Sequence, residues 1–376
     1  MTKAKPGDSP VVGKIVSSAQ EIHGKIIGGR KPSMKFPLRS LSNVRYTPKK
    51  GHFEMLGKKK ERTLTVSTVK SFAQTMRMIA LSKSLIERDD FATKRDAYYQ
   101  TKNWEDARCD DQVESDTIMD DIEAYFGLTK EALRFTPDEH GGLVAGELIV
   151  EDFESAAPGT TNRKRLEIDC TKFGSGAYGI SPSTIEDIGF KTKAKFILAI
   201  ETGGIFERLN RHRFWEKANC ILVSMAGVPT RAVRRFIRRL ADEKKIPVYV
   251  FVDCDPYGIA NIYRTLKVGS GNNAHLNEFF CVPQARFLGV TPQDIVDYKL
   301  HPSATHPLKD IDIKRAKDAL KNDPFFQHYK EWARAFEMLL KMGVRAEQQA
   351  FAKFDLNFVM DTYLPEKLKN PGKFLP

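Results

Sequence analysis

The stretch Val248 to Gly258 reads VYVFVDCDPYG. Val248, Val250 and Val252 alternate with Tyr249 and Phe251. A continuous β-branched and aromatic run of this length predicts a strand buried on both faces of a parallel sheet. Pro247 precedes it, where a missing N–H costs least. Two acids, Asp253 and Asp255, end the run, separated by Cys254. Side chains two apart on an extended chain point the same way, and two adjacent carboxylates repel unless a hard cation lies between them. Pro256 and Gly258 turn the chain into a helix expected from about Ile259 to Leu266. Ligands of open α/β sheets bind at the carboxyl ends of strands, so a Mg²⁺ site is expected here.

The D-x-D pattern is not decisive alone. It also follows strands in dehalogenase-like phosphatases and glycosyltransferases, and Asp and Pro are ordinary residues for ending a strand and opening a helix. Neighbouring stretches narrow the choice. KFILAIE is a strand ending in Glu201, followed by Thr202-Gly203-Gly204 and the helix IFERLN; ANCILVSMAG is a second strand, followed by a helix from Thr230. The βαβαβ order predicts a parallel sheet with right-handed crossovers. Glu201 then joins Asp253 and Asp255 at one sheet edge, which strengthens the Mg²⁺ expectation.

The chain has 376 residues, enough for two or three domains, with 60 basic against 48 acidic residues and a formal charge of +12. Such a balance points to a polyanionic partner, nucleic acid first, unless the charge reflects a generally basic proteome. The helix from Thr230 turns Val233, Phe236, Ile237 and Leu240 to one face, with Arg231, Arg234, Arg235, Arg238 and Arg239 covering the rest. No acid follows until Asp242, so Arg231, Arg234, Arg235 and Arg238 are candidate phosphate contacts, the alternative being a basic helix partnered by acids elsewhere. Five dispersed cysteines without a C-x-x-C pair suit a reducing compartment. No apolar run approaches a membrane span and no signal-peptide h-region opens the chain. A soluble protein is expected, cytoplasmic or nucleoid-associated, or nuclear in a eukaryote.

Along the N-terminal half, residues 1–10 read as disordered, and helical spacing runs from Val12 to Ile26, ending at Gly28-Gly29. Leu38 to Thr68 predicts hairpins with Lys49-Lys50 and Lys58 to Lys60 at the turn tips. Val69 to Arg88 is a helix. A second opens near Thr93, and on it Arg95, Tyr99 and Lys102 fall at i, i+4 and i+7, on one face. Two cations beside a phenol would hold a phosphate and favour the attacking phenolate, although paired tyrosines such as Tyr98-Tyr99 are more often plain amphipathic residues. The acidic run 105–124 reads as a mostly solvated helix face, N-capped by Ser115 and closed by Gly127. With a short helix from Thr129 and strand-like Leu143 to Val150, it fits a winged helix-turn-helix. Residues 151–190 read as loop and linker. From Phe287 onward a helical layer covers the sheet, with no catalytic constellation seen. No G-x-x-x-x-G-K-[ST] loop occurs, so any ATP is expected on a separate partner chain.

Taken together, KRDAYYQTK, LAIETGGIFERL, SMAGVPTRAVRRFIRRL, VDCDPYGIANI, LKDIDIKRAKDAL and the N-terminal PLRSLSNVRY resemble the A subunit of type IIB DNA topoisomerases and the related meiotic transesterase, from about Lys35 to about Phe354. The resemblance implies a multidomain α/β chain: an N-terminal helix and hairpin extension over 1–68, a winged-helix domain like that of catabolite activator protein over 69–150, a linker over 151–190, and a Toprim domain with a helical layer over 191–376. It implies Tyr99 as nucleophile with Arg95 beside it, and Glu201, Asp253 and Asp255 as Mg²⁺ ligands. It implies double-stranded DNA as substrate, a homodimer in which one chain's tyrosine works with the other's metal site, and an ATP-using B subunit in a heterotetramer of two A and two B chains. The expected reaction is a transient double-strand break through a 5′-phosphotyrosyl bond. A recombination initiator that does not reseal efficiently, a Toprim nuclease or primase independent of tyrosine, and a noncatalytic DNA-binding protein are the alternatives.

Overall fold

The amphipathic stretches of the N-terminal third fold at their expected places. In the computed structural model, which describes residues 10–137, 141–154, 164–270 and 274–376, the first helices are α1 (Pro10–Ile27), α2 (Val69–Arg88), α3 (Lys94–Thr101) and α4 (Gln112–Phe126). Residues 1–9, read as disordered from the sequence, lie outside the described residues. Val12, Ile15 and Ile22 of α1 share a core with Phe72 and Ile79 of α2 and Ile118, Met119 and Ile122 of α4. The first helix therefore packs on its own chain. Burying each such side chain contributes about 1.5–3 kcal/mol. Thr93 and Asp96 close a reciprocal capping box on α3. Asp111, one turn ahead of the expected Ser115, caps α4 by accepting the Glu114 N–H at 2.8 Å, and Ser115 is buried inside the helix. The short helix expected from Thr129 is a turn.

The extension is not a separate unit. Strands β1 (Ser33–Pro37), β2 (Val44–Thr47), β3 (His52–Met55) and β4 (Lys59–Thr63) form two antiparallel pairs, β2 with β3 and β1 with β4. The β2–β3 hairpin is as expected, but β4 leaves it to pair with β1, so Lys59 and Lys60 lie within a strand and not at a turn tip. Met34 and Phe36 of β1 enter the helical core, whereas Phe53 of β3 enters the core under the large sheet. A short parallel pair, β5 (Ala92–Thr93) with β6 (Phe135–Thr136), ties the start of α3 to the end of the helical unit.

The expected wing and linker are corrected. β7 (Leu143–Gly146) and β8 (Ile149–Phe153) do not pack as a wing on the helices. β7 extends the large sheet, and β8 lies in a three-stranded antiparallel sheet with β9 (Arg165–Asp169) and, beyond β10 (Tyr178–Gly179), β11 (Gly189–Lys191). Residues 151–190 thus carry strands of a small β-unit. The part of the expected loop at 155–163 lies outside the described residues.

β12 (Phe196–Ile200), β13 (Cys220–Ser224), β14 (Val248–Phe251) and β15 (Arg286–Gly289) are mutually parallel in a six-stranded sheet of order β10-β7-β13-β12-β14-β15. The alternation of the opening stretch divides between two cores. Val248 and Val250 pack with Ile197 and Val223 on one face, while Phe251 packs with Leu198 and Leu222 on the other. Helices α5 (Gly203–Arg211), α6 (Phe214–Ala218) and α7 (Arg231–Lys244) follow β12 and β13. After β14 the chain turns into a helix at Pro256, wider than an α-helix over Gly258–Tyr263. A Cβ at Gly258 would meet Val252 Cγ1 at 2.7 Å and the Asp253 carbonyl at 2.9 Å, so glycine permits this close turn.

The arginines of α7 require the largest revision. They are engaged by the protein itself rather than forming a phosphate-binding wall. Arg231 is buried between Glu123 of α4 and Glu131, donating to Glu131 at 3.1 and 3.2 Å and to Glu123 through both terminal nitrogens. Arg235 makes a fork to Glu186 at 2.6 and 2.7 Å. Arg238 pairs with Asp242 and donates to the Cys281 carbonyl at 2.6 Å. Arg234 lies over the Phe280 ring, 5.6 Å from its centroid. The partners come mostly from segments far away in sequence, which is why the local absence of acids misleads. The acidic run is not simply a solvated face either: Arg39 binds Asp120 and Asp121, each at 3.0 Å, and Arg62 binds Asp121 at 2.9 Å.

Glu123 and Arg231 join the helical unit to the sheet. Burial alone would raise the Glu123 pKa, but Arg231, with His275 and Lys130, outweighs it and pulls the carboxyl down to about 2. The folded value lies below the unfolded one, so the stabilisation is complete above about pH 4.5 and is lost as pH falls toward 2, a span worth about 3 kcal/mol. Glu123→Gln removes this part of the acid dependence. Arg231→Met leaves two buried carboxylates unpaired and lowers stability by about 3–5 kcal/mol at neutral pH. Urea unfolding across pH 2–7 measures both.

Candidate active site

The short helix α3 carries the tyrosine. Its inner face is fixed by Thr101, fully buried, whose hydroxyl donates to the Tyr98 carbonyl at 2.7 Å and accepts the Cys109 N–H at 3.3 Å. Ala97 is buried beneath the helix, so Arg95 and Tyr99, one turn apart, face outward, Tyr99 with 58% of its surface exposed. Lys102 does not complete the expected trio. Its ammonium donates to the Cys109 carbonyl at 3.0 Å and sits 4.4 Å from the Tyr98 ring centroid. Helical spacing places Lys102 correctly, but the carbonyls at the end of the following loop attract its flexible side chain. Tyr98 is half-buried, and its ring lies 5.5 Å from that of Tyr99.

The carboxylates gather where the sheet topology places them. β12 and β14 are adjacent parallel strands, with Ile200 opposite Phe251, so Glu201 leaves β12 beside the end of β14. Glu201 Oε2 accepts the Asp253 N–H at 2.8 Å, and the Glu201 N–H donates to the Phe251 carbonyl at 3.0 Å. Asp253 Oδ1 accepts the Gln348 N–H at 2.8 Å. Asp255 Oδ1 accepts the Gly258 N–H at 2.5 Å, and its other oxygen lies 3.4 Å from Arg345. Burial raises all three carboxyls, Glu201 to about 8 and Asp253 to about 6, and their neighbours' negative charge adds to this. Glu347 contributes to the field at both Glu201 and Asp253.

These oxygens suit a hard divalent cation, since they are carboxylates in want of positive charge. They do not form a closed cage: among the described residues no three His, Cys, Asp or Glu side chains are grouped so as to enclose a metal. Glu201 and Asp253 each direct an oxygen onto a backbone N–H. That leaves an open donor set of the kind Mg²⁺ uses, with one or two carboxylates, water and substrate phosphate.

Sequence reasoning missed the contribution of Arg345, Glu347 and Gln348. They lie in a segment expected to be covering layer, and it is held to the site by antiparallel backbone bonds between Cys254 and Ala346, at 2.8 and 3.2 Å. The signal is weak: a buried glutamine does not differ from a surface one in a sequence.

Comparison with known proteins follows the same division of the chain. Residues 70–135 match the family described as type IIB DNA topoisomerase. Residues 138–194 match the all-beta domain of the DNA topoisomerase VI alpha chain, and 196–368 match the Toprim domain shared by the topoisomerase 6 A subunit and Spo11. The A subunit of type 2 DNA topoisomerase 6 from Methanocaldococcus jannaschii is 51% identical over 364 residues, covering 96% of this chain and 95% of the relative. The chain belongs to the topoisomerase VI A-subunit family. Proteins of the same name from Methanothermobacter thermautotrophicus, 35% identical over 95% of this chain and 97% of theirs, and Pyrococcus abyssi, 36% identical over 97% and 95%, are further relatives. The Toprim match in this topoisomerase family covers the strand-end carboxylates, and the type IIB match covers α3. The intervening all-beta match falls on the stretch that local sequence pattern predicts as wing and linker.

The burial of these carboxylates, with their mutual repulsion, has a measurable sign. The folded pKa values of Glu201 and Asp253 are raised, so the cost of these two groups is absent below about pH 4 and grows as pH rises toward 6 for Asp253 and 8 for Glu201. Glu201→Gln relieves the repulsion and keeps an oxygen for the Asp253 N–H. Its melting temperature at pH 8 in chelator rises above that of wild type, by about 2–4 °C for each kcal/mol relieved. The difference shrinks toward pH 5, where Glu201 is already protonated. Calorimetric melts at the two pH values check this.

Proposed function

We propose that this chain is the DNA-cleaving and rejoining subunit of an ATP-dependent type IIB topoisomerase. The observation that carries the reading is the exposed Arg95–Tyr99 pair on α3, in a chain that also collects buried carboxylates at its Toprim strand ends. Tyr99 Oη attacks a DNA phosphorus. The Oη–P bond forms, the P–O3′ bond breaks, the phenol proton leaves, and the 3′ oxygen departs as a hydroxyl. The 5′-phosphotyrosyl ester retains the bond energy, so the 3′-hydroxyl reseals the strand by the reverse displacement. A phenol starts near pKa 10 and needs activation. Arg95, one helical turn before Tyr99, orients the phosphate or stabilises the pentavalent state. Glu201, Asp253 and Asp255 would hold Mg²⁺, which supplies charge neutralisation at the phosphate and the departing oxygen.

A double-strand break needs two such chains, each cutting one strand, which supports a homodimer; the family resemblance adds that the tyrosine of one chain works with the carboxylates of the other. The sequence holds no phosphate-binding loop of the G-x-x-x-x-G-K-[ST] form, and its relatives are named as A subunits. Both support a B subunit that uses ATP, in an assembly of two A and two B chains acting on the chromosome. The formal charge of +12 favours double-stranded DNA as the substrate.

Covalent trapping tests the nucleophile. The chain is incubated with supercoiled DNA, a topoisomerase VI B subunit, Mg²⁺ and a nonhydrolysable ATP analogue, then quenched with denaturant. Wild type leaves protein on 5′ ends, and Tyr99→Phe leaves none. Cleavage without protein linkage, or linkage that survives Tyr99→Phe, refutes the assignment.

A further inference from the structure

We propose that Gln348 is a positioning residue for the strand-end carboxylates, fixing Glu201 and Asp253 against each other; the inference rests on the metal-holding reading given above. Gln348 is fully buried, and each of its polar groups that faces the site has a partner there. Its backbone N–H donates to Asp253 Oδ1 at 2.8 Å, and its side-chain Nε2 donates to the Phe251 carbonyl at 2.7 Å. Its Oε1 accepts from the hydroxyl of Thr202, the residue after Glu201. The orientation of the amide follows from chemistry. The Phe251 carbonyl can only accept, so it faces the NH₂ group, and the oxygen is left for the hydroxyl.

These contacts close a ring. The Phe251 carbonyl also accepts the Glu201 N–H at 3.0 Å, Glu201 Oε2 accepts the Asp253 N–H at 2.8 Å, and Asp253 Oδ1 returns to Gln348. One amide therefore spans the ends of β12 and β14. Thr202 shows the same contact from the other side. It stands at the N-cap of α5 but makes no capping bond to its own helix, its hydroxyl being turned to Gln348 instead. Without the amide, Glu201 and Asp253 would keep only their bonds to backbone N–H groups as a link between the two strand ends. Partners of this outer kind are worth about 10–100-fold in metal affinity.

The test measures Mn²⁺ binding to the full-length chain by electron paramagnetic resonance, beside cleavage in the complete complex as Mg²⁺ is titrated. Gln348→Met keeps length and apolar volume and removes both side-chain bonds. It weakens Mn²⁺ binding about 10–100-fold, and it raises the half-maximal Mg²⁺ concentration by a similar factor while cleavage returns at saturating Mg²⁺. Thr202→Val moves both readouts in the same direction, and Thr202→Ser, which keeps the hydroxyl, restores them. Wild-type Mn²⁺ affinity in Gln348→Met, with affinity lost in Asp253→Ala, overturns the positioning role and leaves the metal reading standing. Wild type binding Mn²⁺ no better than Asp253→Ala overturns both. Should Gln348→Met fail to fold, the Thr202→Val and Thr202→Ser pair decides by the same two readouts.

Discussion

Negative charge held out of water at the ends of β12 and β14 is the constraint around which the sheet domain is arranged. Glu201, Asp253 and Asp255 each take a backbone N–H, from Asp253, Gln348 and Gly258. Such bonds favour the charged form, yet burial prevails and all three carboxyls stay raised. A site of this kind is destabilised until something positive arrives. The surrounding structure absorbs that cost through a sheet buried on both faces, with Val248 and Val250 in one core and Phe251 in the other. Rigid strands also keep the carboxylates from swinging apart, which relaxation in a loop would allow.

A second charged arrangement governs how the helical unit meets the sheet. Arg231 lies between Glu123 and Glu131, with Lys130 donating its N–H to Glu123 at 2.7 Å. An ion pair removed from water adds little net stability, because desolvation offsets most of the attraction. It is effective as a constraint on register. Any docking that separated Arg231 from Glu123 would strand a buried charge at about 3–5 kcal/mol. The arginines of α7 thus serve internal cohesion.

Legibility in the sequence follows the range of the physics. Period and punctuation are local, so α2 is readable from Val69 to Arg88, and the strand before Asp253 from its β-branched run. The carboxylates are readable because parallel strands oblige their C-terminal ends to share an edge, and Glu201 and Asp253 do meet there. What fails is pairing between distant segments. Nothing near Arg231 or Arg235 announces Glu123 or Glu186, and nothing near β7 shows that it extends a sheet whose parallel strands begin only at Phe196. Gln348 is invisible for the same reason, since its partners are Phe251, Asp253 and Thr202.

The carboxylates and Tyr99 rest on supports of different stiffness, which suits the roles proposed for them. The carboxylates sit at the ends of strands bonded on both sides, so their separation is fixed before any substrate arrives, as charge stabilisation requires. Tyr99 stands on an eight-residue helix, exposed, with its neighbour Lys102 engaged by loop carbonyls. On the proposed reading, a phenol that has to reach a phosphorus, remain bonded to it and later release it cannot be enclosed. The buried Arg231–Glu123 pair, beside the apolar contacts of the β2–β3 hairpin with the sheet core, keeps the two units in register at neutral pH.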